Sequence, residues 1–71
     1  MENENKTMDI PVWQRYLLDI KEAAMYYHIG ENKLRALIEA NRHADFFIIN
    51  GNRALIKRRQ FEEFLDRSTY L

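Results

Sequence analysis

Phe46-Phe47-Ile48-Ile49-Asn50-Gly51-Asn52-Arg53-Ala54-Leu55-Ile56 places two apolar runs on either side of an Asn-Gly pair. Asn-Gly tolerates positive φ at both central positions of a type I′ turn, whose twist matches that of paired strands, so the segment predicts a β-hairpin. Two registers are open. A two-residue loop pairs Ile49 with Asn52 and sets Phe46 opposite Leu55; a three-residue loop pairs Ile49 with Arg53 and sets Phe47 there.

Upstream of the hairpin the period changes. Asp19 followed three residues later by Glu22 is close to a capping box. Ile20, Ala23, Ala24 and Tyr27 then fall on one helical face, and the helix is expected to end near His28, before Gly30. A second helix is expected from about Glu31 to Asn41. Its buried stripe is Leu34, Leu37 and Ile38, and Asn32, Lys33, Arg35, Ala36 and Glu39 lie on its other face. Tyr16-Leu17-Leu18 reads as a short strand ahead of both. Downstream, Phe61, Phe64 and Leu65 mark a closing helix over about Arg58–Arg67. Residues 1–8 have no apolar periodicity and are expected to form a mobile tail. Asp9-Ile10-Pro11-Val12-Trp13 is expected to be an arm lying on the domain, with Trp13 covering an edge of the core and Met25 at the core's periphery.

The two consecutive helices meet the spacing of a helix-turn-helix. Ala24 is the small residue at the helix crossing, Tyr27 and Ile29 flank the turn, and Leu34 and Leu37 face inward from the second helix. His28 stands where glycine is most common in such turns. An ordinary helical hairpin is the bland alternative. A hairpin that follows this unit decides between them: the chain reads as a small α+β winged helix-turn-helix over residues 9–71. Its order is short strand, two helices, β-hairpin wing and C-terminal helix. In that fold the second helix enters the major groove of DNA and the hairpin reaches the flanking backbone or minor groove.

Composition bounds this reading. Seventy-one residues make one domain, with 46% hydrophobic and 31% charged residues, as in a globular chain. A domain of this size buries only about 60% of its unfolded surface, so the core is small. There is no cysteine, which excludes disulfides and thiolate chemistry. The longest apolar stretches are far shorter than the roughly 20 residues of a membrane span. The start Met1-Glu2-Asn3-Glu4-Asn5 is unlike a secretion signal, and a cytoplasmic location with no membrane partner is expected.

The formal net charge is zero, yet the charge is segregated. Residues 31–60 carry seven bases against three acids, while the flanking segments, 1–30 and 61–71, are each net −2. An anionic partner feels the local field within a Debye length of about 10 Å, not the total. Lys57-Arg58-Arg59 falls at the start of the closing helix. Cations there oppose the helix dipole by about 0.3–1 kcal/mol each, and a docked phosphate reverses that sign. A solvated surface is the plainer explanation of the run. Catalysis has no support. His28 and His43 lie on different elements, Ser68, Thr69 and Tyr70 lie at the C-terminal end, and nothing has metal-ligand spacing. No enzyme activity and no cofactor are expected.

Tyr16-Leu17-Leu18-Asp19-Ile20-Lys21-Glu22-Ala23-Ala24 resembles the opening of the excisionase-like winged-helix family, where a YLT-x-x-EAA run leads into the first helix. Gly30-Glu31-Asn32-Lys33-Leu34-Arg35-Ala36-Leu37 resembles that family's recognition helix, Asn50-Gly51-Asn52-Arg53 its wing, and Ile56-Lys57-Arg58-Arg59-Gln60-Phe61 its strand-to-helix join. The resemblance is closer to the excisionases of conjugative transposons, which share the Asp9-Ile10-Pro11 arm with its tryptophan and Ile29-Gly30-Glu31-Asn32-Lys33-Leu34. It covers about residues 9–65. It implies a recombination directionality factor, which binds and bends double-stranded DNA near the ends of a mobile element. Such a factor helps a tyrosine-family integrase assemble the excision complex without cutting DNA itself.

Carried over by position, Asn32, Lys33, Arg35 and Ala36 face the major groove, with Arg35 toward guanine, Asn32 toward adenine and Ala36 toward a thymine methyl. Some relatives have a second cation where this chain has Ala36. Asn52 and Arg53 serve the wing, and Arg42, Lys57, Arg58 and Arg59 serve phosphates. Self-contacts along DNA or contacts with the integrase are implied as well, and the acidic Glu62, Glu63 and Asp66 offer a face for them. Two other readings use the same fold: a small transcriptional regulator, and a winged helix that binds protein rather than DNA.

Overall fold

Asp19 both ends the first strand and starts the first helix. The computed structural model describes residues 10–71; the expected tail over residues 1–8, and Asp9 of the arm, lie outside the described residues. Strand β1 covers Leu17–Asp19 and helix α1 covers Ile20–Tyr27, with no residue between them. The Glu22 N–H donates to Asp19 Oδ1 at 2.7 Å and the Asp19 N–H donates to Glu22 Oε1 at 3.0 Å, so the expected capping box is formed. It satisfies two donors that the first helical turn leaves unpaired.

Helix α1 stops at His28, which takes the left-handed conformation (φ 59°, ψ 42°) while its N–H bonds the Ala24 carbonyl. Among the described residues it is the only non-glycine with positive φ. Helix α2, Glu31–Ala40, follows after Ile29 and Gly30. Its first turn leans on the backbone of Gly30, with no side-chain cap, and Asn41 closes it by donating from Nδ2 to the Leu37 carbonyl at 2.7 Å.

The wing consists of β2, Phe47–Asn50, and β3, Arg53–Lys57; helix α3, Arg58–Asp66, leaves β3 without a loop. The sheet is antiparallel in the order β1-β3-β2. The hairpin takes neither of the two expected registers. Asn50 pairs with Arg53, Ile49 with Ala54, Ile48 with Leu55 and Phe47 with Ile56. The central residues of the turn are therefore Gly51 and Asn52, not Asn50 and Gly51. Only Gly51 has positive φ, at 65°, the pattern of a turn that needs glycine in its first central position alone. This register puts Leu18, Ile56 and Phe47 side by side on the face toward the helices. Phe46 is freed from the strand and enters the core, while its carbonyl still accepts from the Lys57 N–H at 2.8 Å.

The buried core is Leu18, Ile20, Ala23, Leu34, Leu37, Ile38, Phe46, Ile56 and Phe61. Every α-helix and every strand but β2 supplies at least one of these residues, and the loop before β2 supplies Phe46. The Phe46 ring lies 5.2 Å from Phe61 and 4.8 Å from Phe64, and Tyr27 meets Phe61 edge-on at 5.1 Å. The inward stripes expected for α1, α2 and α3 are thus the ones found, with Phe64 and Leu65 half-buried at the rim. Two side chains differ from expectation. Trp13 is 58% exposed and Met25 is 75% exposed. Val12–Gln14 forms a turn of 3₁₀ helix, which advances about 120° per residue, so Val12 packs on the core and Trp13 turns away.

His28→Gly is expected to stabilise the fold by about 1 kcal/mol. It relieves a left-handed conformation that costs an L-residue about 1–2 kcal/mol, offset in part by the freedom glycine has when unfolded. Urea denaturation of the two proteins measures the difference.

Candidate nucleic-acid interface

Helix α2 buries one stripe and exposes the rest. Leu34, Leu37 and Ile38 point into the core, so Glu31, Asn32, Lys33, Arg35 and Ala36 are left facing solvent. Ten residues at about 1.5 Å per residue give a rod roughly 15 Å long, which fits a major groove about 12 Å wide. The hairpin stands beside it. Asn52 is exposed in the turn, and Arg53 is exposed at the first position of β3.

A notch of about 220 Å³ lies between these two elements, lined by Asp19, Ile20, Lys21, Glu31, Arg35, Arg53 and Ala54. Helix α2 and the hairpin therefore open onto one side of the molecule, and both Arg35 and Arg53 line the space between them. Each arginine has an acidic neighbour. Arg35 Nη1 lies 3.7 Å from Glu31 Oε1, and Arg53 Nη2 lies 3.6 Å from Asp19 Oδ2. The arginine side chains remain 58% and 67% exposed, and surface pairs of this kind contribute only about 0–1 kcal/mol. The pairs orient the guanidinium groups without locking them. The basic segment over residues 31–60 gave no sign of the notch residues at the β1–α1 junction, Asp19 and Lys21. The capping box was the available signal, because it places the first turn of α1 at the end of β1 and so beside β3.

The remaining candidates are spread. Lys33 Nζ donates to the Leu71 carbonyl at 3.0 Å, so the C-terminal stretch passes beside α2. Arg42, beyond the end of α2, is exposed and pairs with Glu39 at 3.2 Å. Lys57 and Arg59 have no ion-pair partner among the described residues, and Arg59 is exposed. Arg58 is different. Its side chain is only 20% exposed, its Nε donates to the Arg15 carbonyl at 2.7 Å, and its Nη1 donates to Glu62 Oε2 at 3.3 Å. The Tyr27 hydroxyl donates to the same Glu62 oxygen at 2.9 Å, and Arg15 pairs with Glu22 of α1. Arg58 thus ties α3 to the segment before β1, and through Glu62 the same network reaches Tyr27 of α1, so Lys57-Arg58-Arg59 does not present three cations to one partner. Glu62 is occupied in the same network, which leaves Glu63 and Asp66 as the exposed acids of α3.

Among the described residues no three His, Cys, Asp or Glu side chains gather where they could hold a metal ion. No helix among them is long and apolar enough to cross a membrane.

A three-helix, three-stranded antiparallel body in which a β-hairpin follows two consecutive helices and stands beside the second is a winged helix-turn-helix protein. The family model described as "Excisionase from transposon Tn916" matches residues 1–70, and the chain belongs to this excisionase family. It is 57% identical over 61 residues to the Tn916 excisionase of Streptococcus agalactiae serotype V, a match that covers 86% of this chain and 91% of that relative.

Arg58→Glu is expected to destabilise the fold by about 1–3 kcal/mol, since it removes charged hydrogen bonds and sets a carboxylate against Glu62. Arg59→Glu, at an exposed position, should change stability by less than about 0.5 kcal/mol. Thermal melts of both variants compare the two positions directly. Burial, and then the hydrogen bond to Glu62, push the Tyr27 phenol well above its ordinary value of about 10. Unfolded chains ionise first as pH rises past about 10, so the native state loses stability from there upward. Tyr27→Phe should be less stable than wild type at pH 8, and the gap should shrink by pH 11 in urea melts.

Proposed function

We propose that this chain binds and bends double-stranded DNA at the ends of a mobile element and assists a tyrosine-family integrase in excising it. The observation that carries this reading is the notch shared by Arg35 of α2 and Arg53 of the wing. In this reading α2 lies in the major groove. Asn32 and Arg35 face base edges, Lys33 and Ala36 lie beside them, and Ala36 offers a methyl for a thymine contact. Asn52 and Arg53 reach the adjacent minor groove or its backbone, where a wing favours a bent duplex. Arg42, Lys57 and Arg59 approach phosphates. Arg58 supports them by holding α3 in place rather than by touching DNA.

Family membership supports the excision role, and the protein acts as an accessory factor rather than an enzyme. Size supports the need for partners. One module of this kind covers only about 600–1,000 Å² of its surface on DNA, which gives modest affinity alone. Neighbouring copies along the DNA, or the integrase itself, supply the rest. The protein needs no cofactor, and it works where the element's DNA is, in the cytoplasm.

Binding to duplex DNA should weaken with a log–log salt slope of about −4, from four or five phosphate contacts at roughly −0.9 each. Arg35→Ala should cost about 1–3 kcal/mol on element-end sites and much less on random duplex. Footprinting on element-end DNA, with and without integrase, is the direct check. Protected tandem sites beside the cleavage points, strengthened by integrase, are the expected result. Protection confined to a promoter and indifferent to integrase would instead indicate a transcriptional regulator.

A further inference from the structure

We infer that Asp19 is a specificity-determining residue that restrains Arg53, so that the wing does not grip DNA indiscriminately; the inference rests on the DNA-binding reading above. Asp19 is held from two sides. Its Oδ1 accepts from the Glu22 N–H at 2.7 Å, and its own N–H donates to Glu22. That capping box fixes the carboxylate at the N-terminus of α1, where the helix dipole favours negative charge. The second oxygen, Oδ2, is left toward the notch, 3.6 Å from Arg53 Nη2. One carboxylate therefore starts a helix and faces the base of the wing.

The distance sets what the pair can do. At 3.6 Å it is longer than a hydrogen bond of good geometry, and Arg53 is mostly exposed, so a phosphate or base edge can draw the guanidinium away. Until then the Asp19 charge cancels much of the field of Arg53 in the notch. A phosphate that drifts into the notch also meets a fixed anion in its wall. Loose, backbone-only encounters are weakened in this way, whereas a closely docked duplex recovers Arg53 through the contacts that replace Asp19. Arg35 has Glu31 on its own helix, but that acid sits one turn away along α2 and is not fixed by a cap hydrogen bond. Asp19 is the notch anion that cannot swing aside.

Asparagine caps helices about as well as aspartate, so Asp19→Asn removes the charge and keeps the cap. The test measures binding of the full chain to short random-sequence duplex DNA between about 50 and 200 mM salt. It is run for wild type, Asp19→Asn, Arg53→Ala and the double variant, with melting temperatures confirming that each is folded. Asp19→Asn is expected to bind random duplex about two- to fivefold more tightly at low salt, with a slope steeper by up to about one. In the Arg53→Ala background the same change is expected to have a clearly smaller effect. An unchanged affinity overturns the inference, and so does an equal gain in both backgrounds, which would make Asp19 a bulk charge uncoupled from the wing. If Asp19→Asn fails to fold, Asp19→Ser supplies another uncharged cap for the same comparison. Wild-type binding that ignores salt would remove the DNA-binding reading itself; steep wild-type salt dependence with no effect of Asp19→Asn removes the restraint alone.

Discussion

Ile56 is the residue on which helix α2 and the hairpin depend for their relative position. It lies fully buried in the central strand β3, opposite Leu18 of β1 on one side and Phe47 of β2 on the other. β1 runs straight into α1, so the register at Leu18 sets where the helix-turn-helix begins. β2 carries the near side of the hairpin, so the register at Phe47 sets where the wing ends. A slip of one residue would turn Ile56 outward and exchange the buried and exposed faces of the whole strand. With nine buried apolar side chains among the described residues, that loss has little to offset it. The angle between α2 and the wing is therefore a property of the core, not of the surface above it.

The surface works under a different constraint. The chain is neutral overall, and most of the cations in its central segment have partners. Arg35, Arg42, Arg53 and Arg58 each face an acid, and Lys33 reaches a carbonyl. Only Arg58 is drawn inward far enough to become part of the framework. The others keep their charge at the surface while its reach is shortened. The field of such a surface is weak at a distance and grows on close approach, when a paired acid is displaced.

Local chemistry made much of this legible in the sequence. The capping box at Asp19 and Glu22 and the stripe Leu34, Leu37, Ile38 are decided within one or two helical turns, and the structure has both. Spacing alone also made the helix-turn-helix and the hairpin readable. Tertiary choices were not readable. Asn50-Gly51-Asn52 offers two places for a tight turn, and the fit of Phe47 beside Ile56 chose between them. Trp13 looked like core by its composition, yet one residue of 3₁₀ advance turned it to solvent. Arg58 looked like its neighbours Lys57 and Arg59 until the carbonyl of Arg15 and the carboxylate of Glu62, distant in sequence or one turn on, took hold of it. Of the notch, its two arginines were visible in advance and its acidic wall was not, because Asp19 had already been given a sufficient job as a cap.

Strand β3 passes into α3 at Lys57 and Arg58 with no loop residue, just as β1 passes into α1 at Asp19 and Ile20. Hinges need slack, and neither junction has any. Push on the hairpin tip and the load travels down β3 into α3, which Arg58 bolts to the Arg15 segment and Glu62 holds to Tyr27 of α1. In the proposed complex, a duplex of the wrong curvature would meet a small rigid wedge, and the DNA would be the softer of the two materials.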